Sequence, residues 1–304
     1  MAVEPFAAAG AGADAFAPDE IALHARDVRF DFSKAGLSWI EGDPYGSHFI
    51  TALNLFLPAG ERWFCKVFTD ALEYVKDERI REEAIGFMGQ EAVHAKSHDK
   101  AVVQFLARHG VDCVPFLRQV EWVAARLSER IDQADPGRKA KAVQAAVALV
   151  ASIEHFTAVL GDWVLNNRWN ELDVDPVMAD LFRWHGAEEV EHRHVAHNLA
   201  TYLGMGYFQR ASMSVIASVG FLTIILRGTK FLVHNDPELP DLGYYQLFWR
   251  LRDSWRRGAI PRLGFLLRSA FRLLRWRYTT DTEGNTAQAV AYLATSPAAR
   301  GSHG

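Results

Sequence analysis

Cysteine is nearly missing from this chain of 304 residues, with only Cys65 and Cys113 present. The two do not form a metal-type or redox pair, which argues against a disulfide framework and fits a reducing cytoplasm. Charge of one sign is also lacking, since 33 Lys and Arg face 37 Asp and Glu for a net charge of −4. No global basic footprint for nucleic acid follows from that balance. Strand signals are weak throughout, and no run of hairpin turns is present. Residues 1–18 are rich in Ala and Gly but lack a basic n-region and a long apolar h-region. They read as a disordered start rather than a signal peptide, and residues 296–304 as an equally loose tail. What remains, at 49% apolar and 23% charged residues, has the composition of a soluble globular domain with a sizeable core.

That domain spans residues 19–295 and reads as all-α. Residues 19–48 mix aromatics, Gly and charge, with Asp43-Pro44-Tyr45-Gly46 as a turn, and are expected to wrap the domain. Four long segments of helical period follow, at about 48–76, 78–109, 138–167 and 174–203, with Gly110 and Gly204 as stops. Between the second and third lies a long connection with an amphipathic helix near 116–131 and a break at Asp135-Pro136-Gly137. Two helix pairs joined by one long crossover is the ferritin-like form of the four-helix bundle. The bundle covers about 48–204, and additional C-terminal helices cover it over 208–295.

Two C-terminal stretches stand out. Residues 211–226 are apolar nearly all round and closed by Arg210 and Arg227. At sixteen residues the run is short for a membrane span, so a buried or partner-covered helix is expected. Residues 248–278 carry nine arginines among Phe, Trp and Leu. They fit a solvated arginine face, a basic lid, or an interfacial membrane helix. Peripheral membrane or lipid contact through 211–278 is therefore one expectation, and Gly204, Gly206 and Gly220 permit a homodimer.

The chemistry sits on the core stripes. In Ile80, Ala84, Phe87, Glu91, His94, His98, Ala101 and Phe105 the steps alternate between fours and threes, the pattern of a buried helix face. Glu154 interrupts a valine seam, and Glu61 precedes Trp63-Phe64. On the last core helix His185, Glu189 and His192 share one face, with Glu188 as the rival to Glu189. Burying so many carboxylates without partners is costly. Two divalent cations balance four Glu, and neutral imidazoles complete the shell. One Glu from each of two helices and a Glu-x-x-His from each of the other two is the dinuclear layout of helical bundles. The expected ligands are Glu61, Glu91, His94, Glu154, Glu189 and His192. His185 is either a further ligand or a core histidine. His98 is expected behind His94 or in a substrate pocket, and His155 in a structural role. Glu191, His194 and His197 are expected at the surface or behind the ligands.

The runs Pro58-Ala-Gly-Glu61-Arg-Trp-Phe, Phe87-Met-Gly-Gln-Glu91-Ala-Val-His94-Ala-Lys-Ser-His98, Ile153-Glu-His155-Phe-Thr-Ala and Trp184-His-Gly-Ala-Glu-Glu-Val-Glu-His192 resemble the bacterial family labelled predicted metal-dependent hydrolase, over roughly 30–295. The ligand layout is also similar to ferritin-like di-iron oxidases and oxygenases. His-x-x-x-Glu-x-x-His resembles the arylamine N-oxygenases, and that resemblance makes His185 a seventh ligand. The leading expectation is a non-haem di-iron enzyme, with manganese as the other candidate, that activates O₂ to oxidise a small apolar substrate using an unidentified electron donor. The donor set lacks the thiolates that favour zinc. Metal-dependent hydrolysis and a non-catalytic metal-binding role are the alternatives. The expected location is the cytoplasm, with membrane association as an addition.

Overall fold

The structure, a computed structural model, describes residues 22–300. The expected disordered start at 1–18 lies outside those residues. The described chain is all-α, and its only strand-like feature is an isolated bridge between Ile40 and Val174.

Of the stretch 19–48 expected to wrap the domain, residues 22–43 form a largely irregular strap with Val28, Phe32, Trp39 and Ile40 buried, and 44–48 belong to a helix. The expected turn at Asp43-Pro44 is instead a helix start. Asp43 accepts from the Gly46 amide, and Pro44 is the first residue of α1 (Pro44–Thr51). A proline at this position has no amide to leave unpaired, and its fixed φ suits a first turn. Helix α2 (Leu53–Leu72) follows at once, so the first expected segment is two helices rather than one. Asp77 caps α3 (Glu78–Ala101) through the Ile80 amide. A π turn and a 3₁₀ turn carry it to Gly110, whose φ of 76° ends the run. The crossover contains α4 (Val114–Asp132), packed on α2 and α5.

Helix α5 (Pro136–Leu165) and α6 (Pro176–His192) form the second close pair. A turn at Arg193 and His194 separates α6 from α7 (Val195–Tyr202), which packs on α3 and α5. The α5–α6 approach depends on glycine. A Cβ on Gly161 would stand 2.3 Å from the Gly186 carbonyl oxygen, so only glycine lets the two backbones meet there.

The C-terminal half departs furthest from expectation. Helix α8 runs over Tyr207–Asn235, well beyond 211–226. It is not buried: only 22% of its most apolar window is covered. The arginine-rich stretch is broken by Gly258, with φ of 80°, into α9 (Tyr244–Arg257) and α10 (Leu263–Leu273). Helix α11 (Thr286–Leu293) packs on α6. The tail is not loose at its start. Ser296 is fully buried, its hydroxyl donates to Asp180, and the short α12 (Pro297–Arg300) follows.

Candidate metal centre

Four helices converge on one point. Helix α2 brings Glu61, α3 brings Glu91 and His94, α5 brings Glu154, and α6 brings His185, Glu189 and His192. They fall into two adjoining groups. Potential ligand atoms of Glu61, His94 and His185 lie within 4.8 Å of one another, and so do those of Glu91, Glu154, Glu189 and His192. Glu189 links the groups, with Oε1 2.5 Å from His185 Nε2 and Oε2 3.1 Å from His192 Nε2. His94 Nδ1 stands 3.6 Å from Glu91 and 3.5 Å from Glu189. The structure therefore gathers every residue named as a ligand from sequence, His185 among them.

All seven are buried, yet much of their polar surface is unsatisfied. Both carboxylate oxygens of Glu61, Glu91 and Glu154 lack a hydrogen-bond partner among the described residues, as do His94 Nδ1 and His192 Nδ1. Leaving one such atom dry costs about 1–3 kcal/mol. A protein that stops there would be expected to lose these groups to apolar ones. Divalent cations remove the penalty, and the mix of hard carboxylate oxygen and imidazole nitrogen suits Fe, Mn or Zn. The residues fit a dinuclear metal centre.

The electrostatics describe the same strain. Burial, and then the charge of Glu91, pushes the Glu61 carboxyl well above the usual range. Burial, and then Glu189, does the same to Glu154. Burial opposes a charge on His94, but Glu91 and Glu188 overcome it and raise the imidazole well above its ordinary value. Burial also opposes the charge on Glu189, yet His192 and His185 hold that carboxyl well below its usual range. Protons can thus balance part of the charge that cations would otherwise balance.

A second layer fixes how the imidazoles point. Glu188 and Glu189 face different partners. Glu188 Oε2 lies 2.8 Å from His94 Nε2, and its Oε1 accepts from Arg26 at 2.7 Å and Trp184 at 3.2 Å. A carboxylate behind a histidine turns the opposite ring nitrogen, here Nδ1, inward and raises its basicity. His98 serves His185 in a similar way. Its Nδ1 donates to Asn54 Oδ1 at 2.6 Å, so its Nε2, 2.7 Å away, accepts from His185 Nδ1. His185 Nε2 then faces Glu189 and Glu61, sharing a proton with Glu189 where it would otherwise offer a lone pair to a bound cation. Burial, and then His185, keeps His98 well below its ordinary value and therefore neutral.

Sequence reasoning missed Asn54, Arg26 and Gln90. Asn54 lies seven residues before Glu61 on the same helix, a heptad spacing that marks it as a polar intrusion into the core face. Arg26 sits in the irregular strap, where no periodicity points inward. Glu191 is buried rather than at the surface, held by Arg26 at 2.8 Å and Gln90 at 3.1 Å. His194 and His197 lie outside the two groups. His155 turns away to the C-terminal part, where it meets Ser269, Tyr278 and Glu283.

An apolar cavity of about 50 Å³ lies against His185 and Glu189, walled by Leu57, Phe182, Phe221 and Ile225 among others. It holds a few water-sized molecules, and almost none of its wall is polar.

A family model described as "Predicted metal-dependent hydrolase" matches residues 24–278. No curated protein matches, and no solved structure matches. The match runs from the strap through α10 and includes both residue groups. The chain belongs to the predicted metal-dependent hydrolase family.

Proposed function

We propose that this metal-dependent hydrolase family member binds two divalent cations among Glu61, Glu91, His94, Glu154, His185, Glu189 and His192, and uses them to hydrolyse a substrate with an apolar body. The observation that carries the reading is the convergence of buried, unpartnered carboxylate and imidazole atoms from four helices. The family description supports hydrolysis ahead of the O₂ chemistry that the ligand pattern alone suggested. Bound divalent cations supply a Lewis acid and lower the pKa of water.

The chain's own residues do the rest. Glu188 and His98 aim the His94 and His185 rings, so neither donor has to reorganise. Leu57, Phe182, Phe221 and Ile225 wall the space of about 50 Å³ beside His185, which has room for a short acyl group and keeps bulk water out. In the hydrolysis the water oxygen would add to the carbonyl carbon, one water proton would pass to the leaving group as its bond to that carbon breaks, and the other would leave with the acid product. An acyl ester or amide suits the site better than a phosphoester, because its one carbonyl oxygen would sit at the cations while the acyl group meets the apolar wall.

The same apolar wall favours one second reading, in which iron or manganese at this site oxidises an apolar substrate with O₂ and an electron donor. Elemental analysis followed by two parallel assays separates the readings. Protein loaded with Zn²⁺ or Mn²⁺ is expected to cleave p-nitrophenyl acetate, and Glu154→Ala to abolish both metal and turnover. Uptake of O₂ by the ferrous-loaded protein, with a transient visible band and no ester cleavage, would overturn hydrolysis in favour of oxidation.

A further inference from the structure

The outer side of α8 is an apolar stripe of a kind that soluble monomers rarely leave open. Phe208 is 79% exposed, Val215 52%, Ile216 53% and Val219 61%, with Leu222 also outward. The inner side of the same helix is packed, with Ala217, Ile225, Leu232 and Val233 buried. Helix α10 packs against α8 and carries exposed Leu267 and Phe271 of its own, and Trp276 just beyond it is 71% exposed. The two elements are tied at one end, where Arg210 donates to the Leu273 and Arg275 carbonyls and Tyr207 packs on Trp276.

Charge selects the occupant. Arg227, Arg268, Arg275 and Arg277 are exposed around this surface, while neither α8 nor residues 263–278 contain a single Asp or Glu. A second copy docking through the same patch would set arginines against arginines, because a twofold interface is self-complementary. An anionic headgroup layer over apolar tails matches both properties at once.

We infer that the α8–α10 face docks on an anionic lipid surface, with α8 lying along the boundary between headgroups and tails. Arg268, Arg275 and Arg277 are the exposed cations that would reach lipid phosphates, whereas Arg210 is taken up by the Leu273 and Arg275 carbonyls. The helix lies on the bilayer rather than spanning it, since its other side is engaged with α1, α5 and α10. Phe221 and Ile225 on this helix line the cavity beside His185, whereas Val219 and Leu222 face outward. Docking therefore brings lipid acyl chains to the far side of the cavity wall. That consequence rests on the function proposed above; the docking does not.

The test is flotation of the full-length chain with vesicles of phosphatidylcholine, with or without phosphatidylserine, at low and high salt. Wild-type protein is expected to float with the phosphatidylserine vesicles at low salt and to be released by high salt. Ile216→Glu combined with Val219→Glu is expected to reduce binding more than tenfold while leaving metal content and Tm unchanged. Arg268→Ala is expected to weaken it about fivefold. Absence of flotation at low salt overturns the inference, as does equal flotation of the double variant. A wild-type dimer that the double variant converts to a monomer, with no vesicle binding by either, also overturns it and assigns the face to a second copy. Flotation needs no metal, so a chain that floats but holds no metal removes the proposed function and leaves the docking in place.

Discussion

The inner face of α6 and the outer face of α8 break the usual sorting of side chains in opposite directions. Helix α6 buries His185, Glu188, Glu189 and His192 in the core, where charge is costly. Helix α8 leaves Phe208, Val215, Ile216 and Val219 outside, where apolar surface is costly. The described chain corrects the first fault only in part: Arg26 takes Glu188, and His185 and His192 take Glu189, but Glu61, Glu91 and Glu154 keep both oxygens without a hydrogen-bond partner. The α8 stripe is left exposed. A polar group left dry inside calls for an ion, and an apolar stripe left wet outside calls for an apolar phase. The proposed cations would complete the first, and the proposed lipid surface the second.

The largest test of the inner half removes a carboxylate. Glu91→Ala or Glu154→Ala is expected to take the metal content from about two ions per chain to none, read by elemental analysis. Full occupancy in both variants would end the dinuclear reading. Next in size is the α5–α6 contact that brings Glu154 and Glu189 together. Gly161→Ala forces a methyl group onto the Gly186 carbonyl and is expected to cost about 3 kcal/mol, read as a shift in the denaturation midpoint. An unchanged midpoint would mean that this approach does not set the site.

A finer cut distinguishes ligand from supporting group. Glu188→Gln keeps the side chain's shape but weakens its hold on His94, so metal affinity is expected to fall about 10–100-fold with stoichiometry unchanged. A lost ion instead of a weakened one would make Glu188 itself a ligand.

The smallest expected effect is a slope with pH. Glu61, Glu154, His94 and His192 all have folded values above their ordinary ones. Each raised group stabilises the metal-free fold below its unfolded value and loses that contribution as pH rises through its folded value. The depressed imidazoles of His98 and His185 oppose this trend only below about pH 6.5, the unfolded value. Above about pH 6.5 the metal-free protein is therefore expected to lose Tm as pH rises. Cations compete with protons for the same atoms, so the metal-bound protein is expected to show increasing stabilisation over the same range. Parallel melting curves with and without chelator check both signs, and equal slopes would break the link between protons and metal.

Much of the centre is legible in the sequence. Glu91 and His94 announce themselves because they occupy positions in a seam of Ile, Ala and Phe, where a period of three and four residues already means inward. Glu154 does so in a seam of valine. Glu188 and Glu189 are harder to separate, because adjacent residues on a helix differ by only about 100° and both point into the core. What distinguishes them is Arg26, which arrives from the strap and takes one of them with Trp184 and His94. The helix boundaries are less legible. Pro44 and Gly258 act through backbone geometry, which makes one helix start look like a turn and two basic helices look like one. The apolar run at 211–226 suggests burial because composition alone cannot say how many faces of a helix will be covered.

The sequence by itself determined the all-α class, the polar positions on apolar seams and the donor chemistry of the centre, because each depends on residue type and helical period. The tertiary structure decided which donors meet, that Glu188 and His98 stand behind His94 and His185, and that the most apolar helix lies outside. Those outcomes depend on which chain segments pack together, and residues as distant as Arg26 and Glu188, or Gly161 and Gly186, come into contact only when the helices do.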